Sequence, residues 1–411
     1  MSSALGMIAY KTGGVAWMWG SGTYGMIGAN TGTTTSYSSP VAVVGNHSFI
    51  MIWAGIDNGV GLKQDGSAWV WGGGDYGQIG NQTQNSYSSP VAVVGNHSFI
   101  SLTTGARFCL GLKTDGSVWT WGNNGQGQLG NQSTASTSSP VAVVGNHSFR
   151  IALAGGITSE GFCAGLKADG SLWTWGDNAY GQLGNNSTTG TSSPVAVTGN
   201  HSFISFSIAD RTIIGLKADG SAWGWGYNNF GCLGTQANVG GNYSSPVAVV
   251  GNHSFVDVHT GPLWTAIGLK ADGSAWCWGS GSGGQIGNNT VNSYSSPVAV
   301  VGNHSFIQIN SIEGNVCAGL KSNGSIWTWG TNSYGLIGNN TLNNYSSPVA
   351  VVGNHSFLTM RTGQDVCINV GGVWKRKPFL FVNNSGTWER IYWNEKVNVS
   401  GTWCRMAREI R

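Results

Sequence analysis

The chain has 411 residues, of which 40% are hydrophobic and only 9% are charged, and its formal net charge is +3. The apolar fraction can form a sizeable core. Because ordinary globular proteins are roughly 25% charged, Asn, Ser, Thr and Gly must supply much of the surface here. The opening residues MSSALGMIAYK lack a basic start and a long apolar stretch, and no segment approaches the roughly 18 apolar residues of a membrane span. We therefore expect no signal peptide and no membrane span.

The stretch SSPVAVVGNHSF recurs along the chain almost unchanged. Its copies begin at Ser38, Ser88, Ser138, Ser192, Ser244, Ser295 and Ser346. The unit is therefore close to 50 residues long, and it repeats up to about residue 370. A period of this size is typical of propellers, solenoids and other repeat arrays.

In chain order, each unit contains four short predicted strands: PVAVV, HSFI, GLK and Trp-x-Trp-Gly. An Asp-Gly pair such as Asp219-Gly220 separates the last two, and this pair is a strong hairpin signal. The paired tryptophans, as at Trp223 and Trp225, are assigned to packing between strands. Four short strands per unit without helical periodicity predict an all-β fold, a seven-bladed β-propeller of four-stranded blades over residues 1–370.

The two ends of the repeat region complement each other. Residues 9–20 supply only the back half of a unit, and residues 348–370 supply only the front half. We expect these N- and C-terminal strands to join in the seventh blade. Such closure would leave no open sheet edge at the seam of the ring.

The segment LKADGSLWTWGDNAYGQLGNNS, residues 166–187, carries a family resemblance. Its Asp-Gly turn, aromatic-x-Trp-Gly-x-Asn strand end and Gly-Gln-Leu-Gly loop resemble the repeat of the regulator of chromosome condensation family. The resemblance covers residues 1–370 and implies a propeller. It implies no single activity, because that family includes a nucleotide exchange factor, a plant light receptor and a bacterial β-lactamase inhibitor.

Repeated histidines and cysteines raise the question of a metal site. The histidines occupy one slot of every unit: His47, His97, His147, His201, His253, His304 and His355. Equivalent residues of neighbouring blades lie about 10 Å apart or farther, whereas zinc ligands lie within about 2.1 Å of the metal. We therefore predict no metal, and we assign the cysteines that share another slot to the core. These are Cys109, Cys163, Cys317 and Cys367.

No catalytic constellation and no cofactor-binding motif is found, so we predict a protein that is not an enzyme and binds no cofactor. The copies differ mainly between HSFI and GLK, where each segment joins the same two strands and must emerge on one face of the disc. A uniform scaffold with different loops is typical of a binding surface, although loops can also drift after duplication. The predicted binding residues are Trp53, Asp57, Arg107, Glu160, Asp210, Arg211, His259, Trp264, Glu313, Arg361 and Asp365.

Residues 371–411 form a separate basic segment in which Gly-x-Trp occurs at Gly372, Gly386 and Gly401. We predict short β-hairpins that act as a docking module. A nucleic-acid arm is the disfavoured alternative, since three acidic residues are interspersed with the basic ones. The docking tryptophans are Trp374, Trp388 and Trp403.

This tail is similar to the Gly-x-Trp-Lys repeats at the ends of bacteriophage tail and virion proteins, although Glu389 and Cys404 depart from that pattern. The resemblance implies a phage structural protein, made in the host cytoplasm and carried on the virion. Its propeller would bind a host-surface glycan or protein, and its tail would bind other virion proteins. Two alternatives remain open: a bacterial propeller that binds and regulates a protein partner, and an enzyme acting on surface polysaccharide.

Overall fold

The computed structural model describes most of the repeat region and six strands beyond it. The chain divides into two compact units, Met1–Thr362 and Gly363–Arg411, and each is treated by itself. The described residues are 7–10, 16–20, 22–32, 37–55, 57–157, 160–236, 240–261, 264–312, 315–332, 335–352, 366–370, 373–377, 380–384, 387–391, 394–399 and 402–407.

The described part of the first unit consists of antiparallel sheets and two 3-10 turns, Thr23–Gly25 and Asn229–Gly231. Sheet 1 has three strands: β1 Met7–Tyr10, β2 Ala16–Gly20 and β3 Tyr37–Ala42. Six sheets of four strands follow, and neighbouring strands in each are consecutive in the chain.

The strands of sheets 2 to 4 have the following bounds. Sheet 2 is β4 Phe49–Ala54, β5 Asn58–Lys63, β6 Ala68–Gly72 and β7 Tyr87–Ala92. Sheet 3 is β8 Phe99–Gly105, β9 Phe108–Lys113, β10 Val118–Gly122 and β11 Thr137–Ala142. Sheet 4 is β12 Phe149–Ile157, β13 Glu160–Lys167, β14 Leu172–Gly176 and β15 Thr191–Ala196.

Sheets 5 to 7 repeat this arrangement. Sheet 5 is β16 Phe203–Ala209, β17 Thr212–Lys217, β18 Ala222–Gly226 and β19 Tyr243–Ala248. Sheet 6 is β20 Phe255–Gly261, β21 Thr265–Lys270, β22 Ala275–Gly279 and β23 Tyr294–Ala299. Sheet 7 is β24 Phe306–Ile312, β25 Val316–Lys321, β26 Ile326–Gly330 and β27 Tyr345–Ala350.

The prediction of an all-β fold built from four-stranded antiparallel units is confirmed. The predicted boundary between units is shifted by one strand, because each four-stranded sheet begins at the HSF segment and ends with the PVA strand of the next copy. Tyr345–Ala350 therefore completes sheet 7 instead of starting a seventh blade with the N-terminal strands. Val366–Val370 pairs with Val373–Lys377 in the second unit, and residues 353–365 lie outside the described part of the chain.

Packing between sheets explains the repeated tryptophans. In the four-stranded sheets, the second tryptophan of each pair, such as Trp121, has no exposed surface, whereas the first is half-buried. The Trp121 indole Nε1 donates a hydrogen bond of 3.0 Å to the carbonyl of Gln78, in the loop of the preceding sheet. The same loop contacts the outer strand of the next sheet, where the Gln82 N–H donates to the Ser138 carbonyl at 2.7 Å. The Gly-Gln-Leu-Gly loops therefore join successive sheets.

The order of strands positions the candidate site. The first strand of each sheet contacts the first strand of the next, so these strands are innermost. The Asp-Gly turns join second and third strands at one end of the sheets. The connections between first and second strands, and the loops between third and fourth strands, emerge together at the opposite end. We call that end the variable face.

The second unit consists, in its described residues, of three two-stranded antiparallel hairpins. These pair β28 Val366–Val370 with β29 Val373–Lys377, β30 Leu380–Asn384 with β31 Thr387–Ile391, and β32 Asn394–Val399 with β33 Thr402–Ala407. Each Gly-x-Trp tryptophan lies opposite an asparagine in the register, at Asn369 and Trp374, Asn383 and Trp388, and Asn398 and Trp403. Hairpins therefore occur where the Gly-x-Trp spacing predicted them.

Candidate functional site

One backbone position of the variable face carries a different side chain in nearly every sheet. It lies four residues before the glycine of GLK, and its carbonyl accepts a hydrogen bond from the residue that follows Trp-Gly, as between Arg211 and Tyr227 at 3.0 Å. The residues at this position are Asp57, Arg107, Gly161, Arg211, Trp264 and Asn315. The backbone hydrogen bond is the same in all six sheets while the side chain varies. The same backbone position therefore places different side chains on the variable face.

The first group of variable residues surrounds Arg107. Its Nε lies 3.2 Å from Asp57 Oδ2, its Nη1 donates to the Tyr76 hydroxyl at 3.2 Å, and its guanidinium lies 5.1 Å from the centre of the Tyr76 ring. Partial burial lowers the pKa of Arg107, but the hydrogen bond and charge of Asp57 outweigh this and raise it. Arg107 is therefore a fixed cation that joins sheets 2 and 3.

The Arg107 group lines a cavity of about 470 Å³ on the variable face. Tyr24 contributes from the loop of sheet 1, sheet 2 contributes most of the wall, and Arg107 contributes from sheet 3. The remaining lining residues are Asp57, Gly73, Asp75, Tyr76 and Gln78. We call this space the Arg107 cavity.

A second group, on sheets 4 to 6, is mainly aromatic. The Arg211 guanidinium lies 4.4 Å from the ring centre of Tyr180 and 5.9 Å from that of Tyr227. The Tyr227 ring lies 5.8 Å from Trp264, which in turn lies 5.5 Å from Phe230. Phe230 is 38% exposed. We call these five residues the aromatic patch.

Two acidic residues support the aromatic patch from sheet 4. Glu160 Oε2 accepts a hydrogen bond of 2.6 Å from Arg211 Nε, and this ion pair crosses from sheet 4 to sheet 5. Asp177 is buried in the loop that carries Tyr180, and its Oδ2 accepts a hydrogen bond of 2.5 Å from Gln182. Burial raises the pKa of Asp177, with a further contribution from the negative charge of Glu160. Both contacts hold the loop of Tyr180 beside Arg211.

The remaining predicted binding residues lie apart from both groups or outside the described chain. Trp53 is half-buried on β4, where it packs against the core between sheets 2 and 3. His259 is buried within β20, and its Nε2 lies 3.1 Å from Asp257 Oδ2. Asp210 precedes Arg211 in the turn between β16 and β17. Glu313, Arg361 and Asp365 lie outside the described residues, as do the side chains of Trp374, Trp388 and Trp403.

The sequence analysis missed the loops between third and fourth strands, which meet the variable segments at the same face. These loops supply Tyr24, Tyr76, Tyr180, Tyr227 and Phe230. The differences between the copies of these loops could have indicated that they belong to the variable face. The slot of Tyr76 and Tyr180 holds glutamine and glycine in two sister loops, at Gln126 and Gly283.

The repeated histidines pack against aromatic rings at the end opposite the variable face. The His147 ring lies 4.4 Å from the centre of Trp173, and the Lys167 ammonium lies 4.3 Å from the same ring. Within the described chain, no group of three or more His, Cys, Asp or Glu side chains is placed to hold a metal ion. The prediction that Cys109, Cys163 and Cys317 are core residues is confirmed.

No helix in the described ranges is long and apolar enough to cross a membrane.

Solved structures support the fold. Human WBSCR16 matches with a TM-score of 0.67 at 17% identity, over 86% of this chain and 94% of that one. Prp20p from Saccharomyces cerevisiae matches with a TM-score of 0.69 at 17% identity, over 86% and 91%. Yeast RCC1 (Prp20) in complex with Kap60 matches with a TM-score of 0.67 at 16% identity, over 92% and 89%. At this identity these likenesses show the fold alone.

The family model for the regulator of chromosome condensation (RCC1) repeat matches more than half of the chain. A second RCC1 repeat model matches residues 99–128. The main matches cover residues 65–112, 115–155, 169–212, 219–266, 272–312 and 323–368. Each match begins at the turn before the third strand of one sheet, and the first five continue into the next four-stranded sheet. The chain accordingly belongs to the regulator of chromosome condensation (RCC1) repeat family.

Proposed function

We propose that this chain is a non-enzymatic interaction propeller that binds a protein partner through the aromatic patch. The observation that carries the proposal is the contiguous set of Tyr180, Arg211, Tyr227, Phe230 and Trp264 on a rigid frame. Tyrosine, tryptophan and arginine are the residue types enriched at the energetic centres of protein interfaces. The ion pair with Glu160 fixes Arg211 in place before any partner binds.

The family relatives support this class of function without identifying the partner. Prp20p has binding properties to Gsp1p and histones, and yeast RCC1 has been solved bound to Kap60. These partners belong to those proteins. For this chain, they support protein binding as the use of the fold in preference to catalysis.

A closed ring of seven blades is part of the same proposal. Among the described residues, sheet 1 has no counterpart of the innermost strand that every four-stranded sheet has. The sequence His355-Ser356-Phe357 follows β27 just as the same tripeptide precedes each innermost strand elsewhere. We infer that the segment after β27 completes sheet 1 and closes the ring.

Binding through the aromatic patch is tested with a photo-crosslinking residue introduced at Phe230. A protein captured from the source cells is purified, and its affinity for the wild type and for Trp264→Asn is measured by calorimetry. Because hot-spot truncations cost about 2 kcal/mol or more, we expect the variant to bind at least about 30-fold more weakly. Asparagine occupies the equivalent position at Asn315, so the fold should tolerate it. Equal affinity in wild type and variant would refute the proposal.

A second candidate function rests on the tail. Three hairpins that place tryptophan opposite asparagine in the same register form a regular array. This supports the proposal of a phage virion protein whose tail binds other virion proteins while the propeller binds a host-surface glycan or protein. Mass spectrometry of purified particles from the source culture tests it. Presence in the particle, lost on joint replacement of Trp374, Trp388 and Trp403 by alanine, is expected; absence from wild-type particles would contradict it.

A further inference from the structure

One of the loop positions that line the Arg107 cavity carries no side chain. Gly73 follows the Trp-Gly of sheet 2, where the sister loops have larger residues. These residues are Asn123, Asp177, Tyr227, Ser280 and Thr331. A Cβ atom at Gly73 would lie 3.3 Å from Gln78 Nε2 and 3.3 Å from Asp57 Cβ, so a side chain there would enter the cavity.

The glutamine beside Gly73 has a hydrogen-bond donor without an acceptor, as Gln128 Nε2 also has in sheet 3, where Asn123 stands five positions earlier. In two sister loops the glutamine amide donates to the residue five positions earlier, from Gln182 to Asp177 and from Gln285 to Ser280. For Gln78 that residue is Gly73. Gln78 is only 2% exposed, its Oε1 accepts from the Tyr76 N–H, and no acceptor in the described chain takes its Nε2 hydrogens. Gln78 lines the cavity, so a ligand that supplies an acceptor there can take a hydrogen bond from its Nε2.

The charged residues that line the cavity indicate whether its ligand is an anion, a cation or a neutral molecule. Two carboxylates, Asp57 and Asp75, disfavour an anion. A cation would lie beside the fixed charge of Arg107 and would leave the Gln78 donor unpaired. A neutral ligand that both donates and accepts hydrogen bonds can pair with the carboxylates and with the Gln78 and Arg107 donors together.

Hydroxyl groups have this dual capacity, and the rings of Tyr24 and Tyr76 border the cavity and add apolar surface that can contact the carbon atoms of a ligand. The cavity of about 470 Å³ falls within the size range of small-ligand pockets. We propose that the Arg107 cavity is a binding site for a neutral saccharide, with Asp57, Gln78 and Arg107 as its hydrogen-bonding groups. This site lies on sheets 1 to 3, apart from the aromatic patch on sheets 4 to 6. The proposal does not depend on protein binding through that patch, and it gives a site to the glycan binding that the second candidate function includes.

The test uses the full chain and three proteins: wild type, Gly73→Ser and Trp264→Asn. Neutral hexoses, N-acetylhexosamines and their disaccharides are screened by saturation-transfer NMR, and those that bind are titrated by calorimetry. Arginine and lysine methyl esters serve as cationic probes. Gly73→Ser introduces the residue that Ser280 supplies in the sister loop, so it should place a hydroxyl in the cavity beside Asp57 and Gln78, accept the Gln78 hydrogen bond and keep the fold. Thermal unfolding checks that the variant is at least as stable as the wild type.

We expect one or more neutral saccharides to bind the wild type, Gly73→Ser to weaken that binding at least about tenfold, and Trp264→Asn to leave it unchanged. Three results would overturn the proposal: no saccharide binds, saccharide binding is insensitive to Gly73→Ser, or only the cationic probes bind and Gly73→Ser removes them. Because Trp264→Asn acts on the aromatic patch alone, failure of the saccharide site and failure of protein binding remain distinguishable.

Discussion

Several residues adopt a positive backbone φ angle, a conformation that is easy for glycine and strained for most other residues. Glycine readily adopts this conformation, and Gly130, at φ +64°, brings its loop against Trp175 of the next sheet. A Cβ atom there would lie only 2.8 Å from Trp175 Nε1, which donates to the Gln128 carbonyl at 3.1 Å. The glycine of the Gly-Gln-Leu-Gly loop is therefore required by the close approach of two sheets.

We predict that Gly130→Ala lowers the free energy of unfolding by more than about 1 kcal/mol, because the alanine is strained at positive φ and also displaces the buried indole. Urea unfolding followed by tryptophan fluorescence measures this change. Gly125→Ala is the matched control, since a Cβ atom there meets only Asn123 Oδ1, at 3.6 Å. A loss of stability no larger at Gly130 than at Gly125 would show that the contact is unimportant.

Trp264 presents the opposite case, a bulky aromatic residue at φ +70°. Left-handed backbone costs roughly 1–2 kcal/mol for most residues and is better tolerated by asparagine, which stands at the same position in sheet 7 as Asn315, at φ +61°. The fold alone would favour asparagine at both positions. A tryptophan at this strained position agrees with the binding role proposed for its side chain on the variable face.

We predict that Trp264→Asn is stable or raises the midpoint of thermal unfolding by a few degrees, because the strain is relieved while the Ser280 N–H can still donate to the carbonyl of residue 264. Differential scanning calorimetry of the two proteins is the measurement. Arg211→Leu serves for comparison, since it breaks the contact with Glu160 and relieves no comparable strain. A marked loss of stability in Trp264→Asn would reassign the tryptophan to packing.

At the scale of strands and loops, the period and the Asp-Gly turns were enough to predict four antiparallel strands per unit. The turn at Asp65 is determined by neighbouring residues: Asp65 Oδ1 accepts a hydrogen bond from the Ser67 N–H at 2.8 Å, and Gly66 adopts φ +82°. The boundary between units could not be read from the period, because a repeat has no marked start. It is set by which strand pairs with Trp-x-Trp, and that strand is the PVA strand of the following copy.

The candidate site was predicted only in part, because the way the strands are connected determines which loops share a face. Segments that vary between copies were visible in the sequence. Asp57 and Arg107 line the Arg107 cavity, Arg211 and Trp264 belong to the aromatic patch, and Glu160 pairs with Arg211. The tyrosines come from other loops, which reach the same face only because of how the strands are connected. The Arg107 cavity is lined by residues of three sheets, and the sequence alone does not show that they meet.

At the scale of the whole molecule, the proposal that the segment after β27 completes sheet 1 and closes the ring can be tested at Phe357. The equivalent phenylalanines are buried in each four-stranded sheet, and Phe149, for example, packs against Gly165. If residues near Phe357 complete sheet 1, Phe357→Ala should cost about 3–5 kcal/mol, as expected for Phe149→Ala. Chemical denaturation of both variants compares them. A loss below about 1 kcal/mol for Phe357→Ala alone would rule out closure by this segment.

The repeated histidines give the whole molecule a predicted dependence on pH. The pKa of each described histidine of the repeat is lowered by burial and, to a lesser degree, by a nearby lysine, as for His147 and Lys167. The other affected groups are His47, His97, His201, His253 and His304. A base whose pKa is lower in the folded state binds protons more readily when unfolded. Its contribution to stability is therefore complete above about pH 6.5 and is lost as the pH falls through the folded-state pKa.

Because these contributions have one sign and recur in every described copy, the free energy of unfolding should fall steadily between pH 7.5 and about 5, more steeply than one histidine could produce. The Asp-Gly carboxylates do not obscure this window, since their pKa values are lowered from an already lower starting point, as for Asp169. Urea unfolding at intervals of half a pH unit measures the slope, and His147→Gln should reduce it by one copy's share. A free energy that stays flat or rises on acidification would show that the histidines are equally accessible to protons in the folded and unfolded chain.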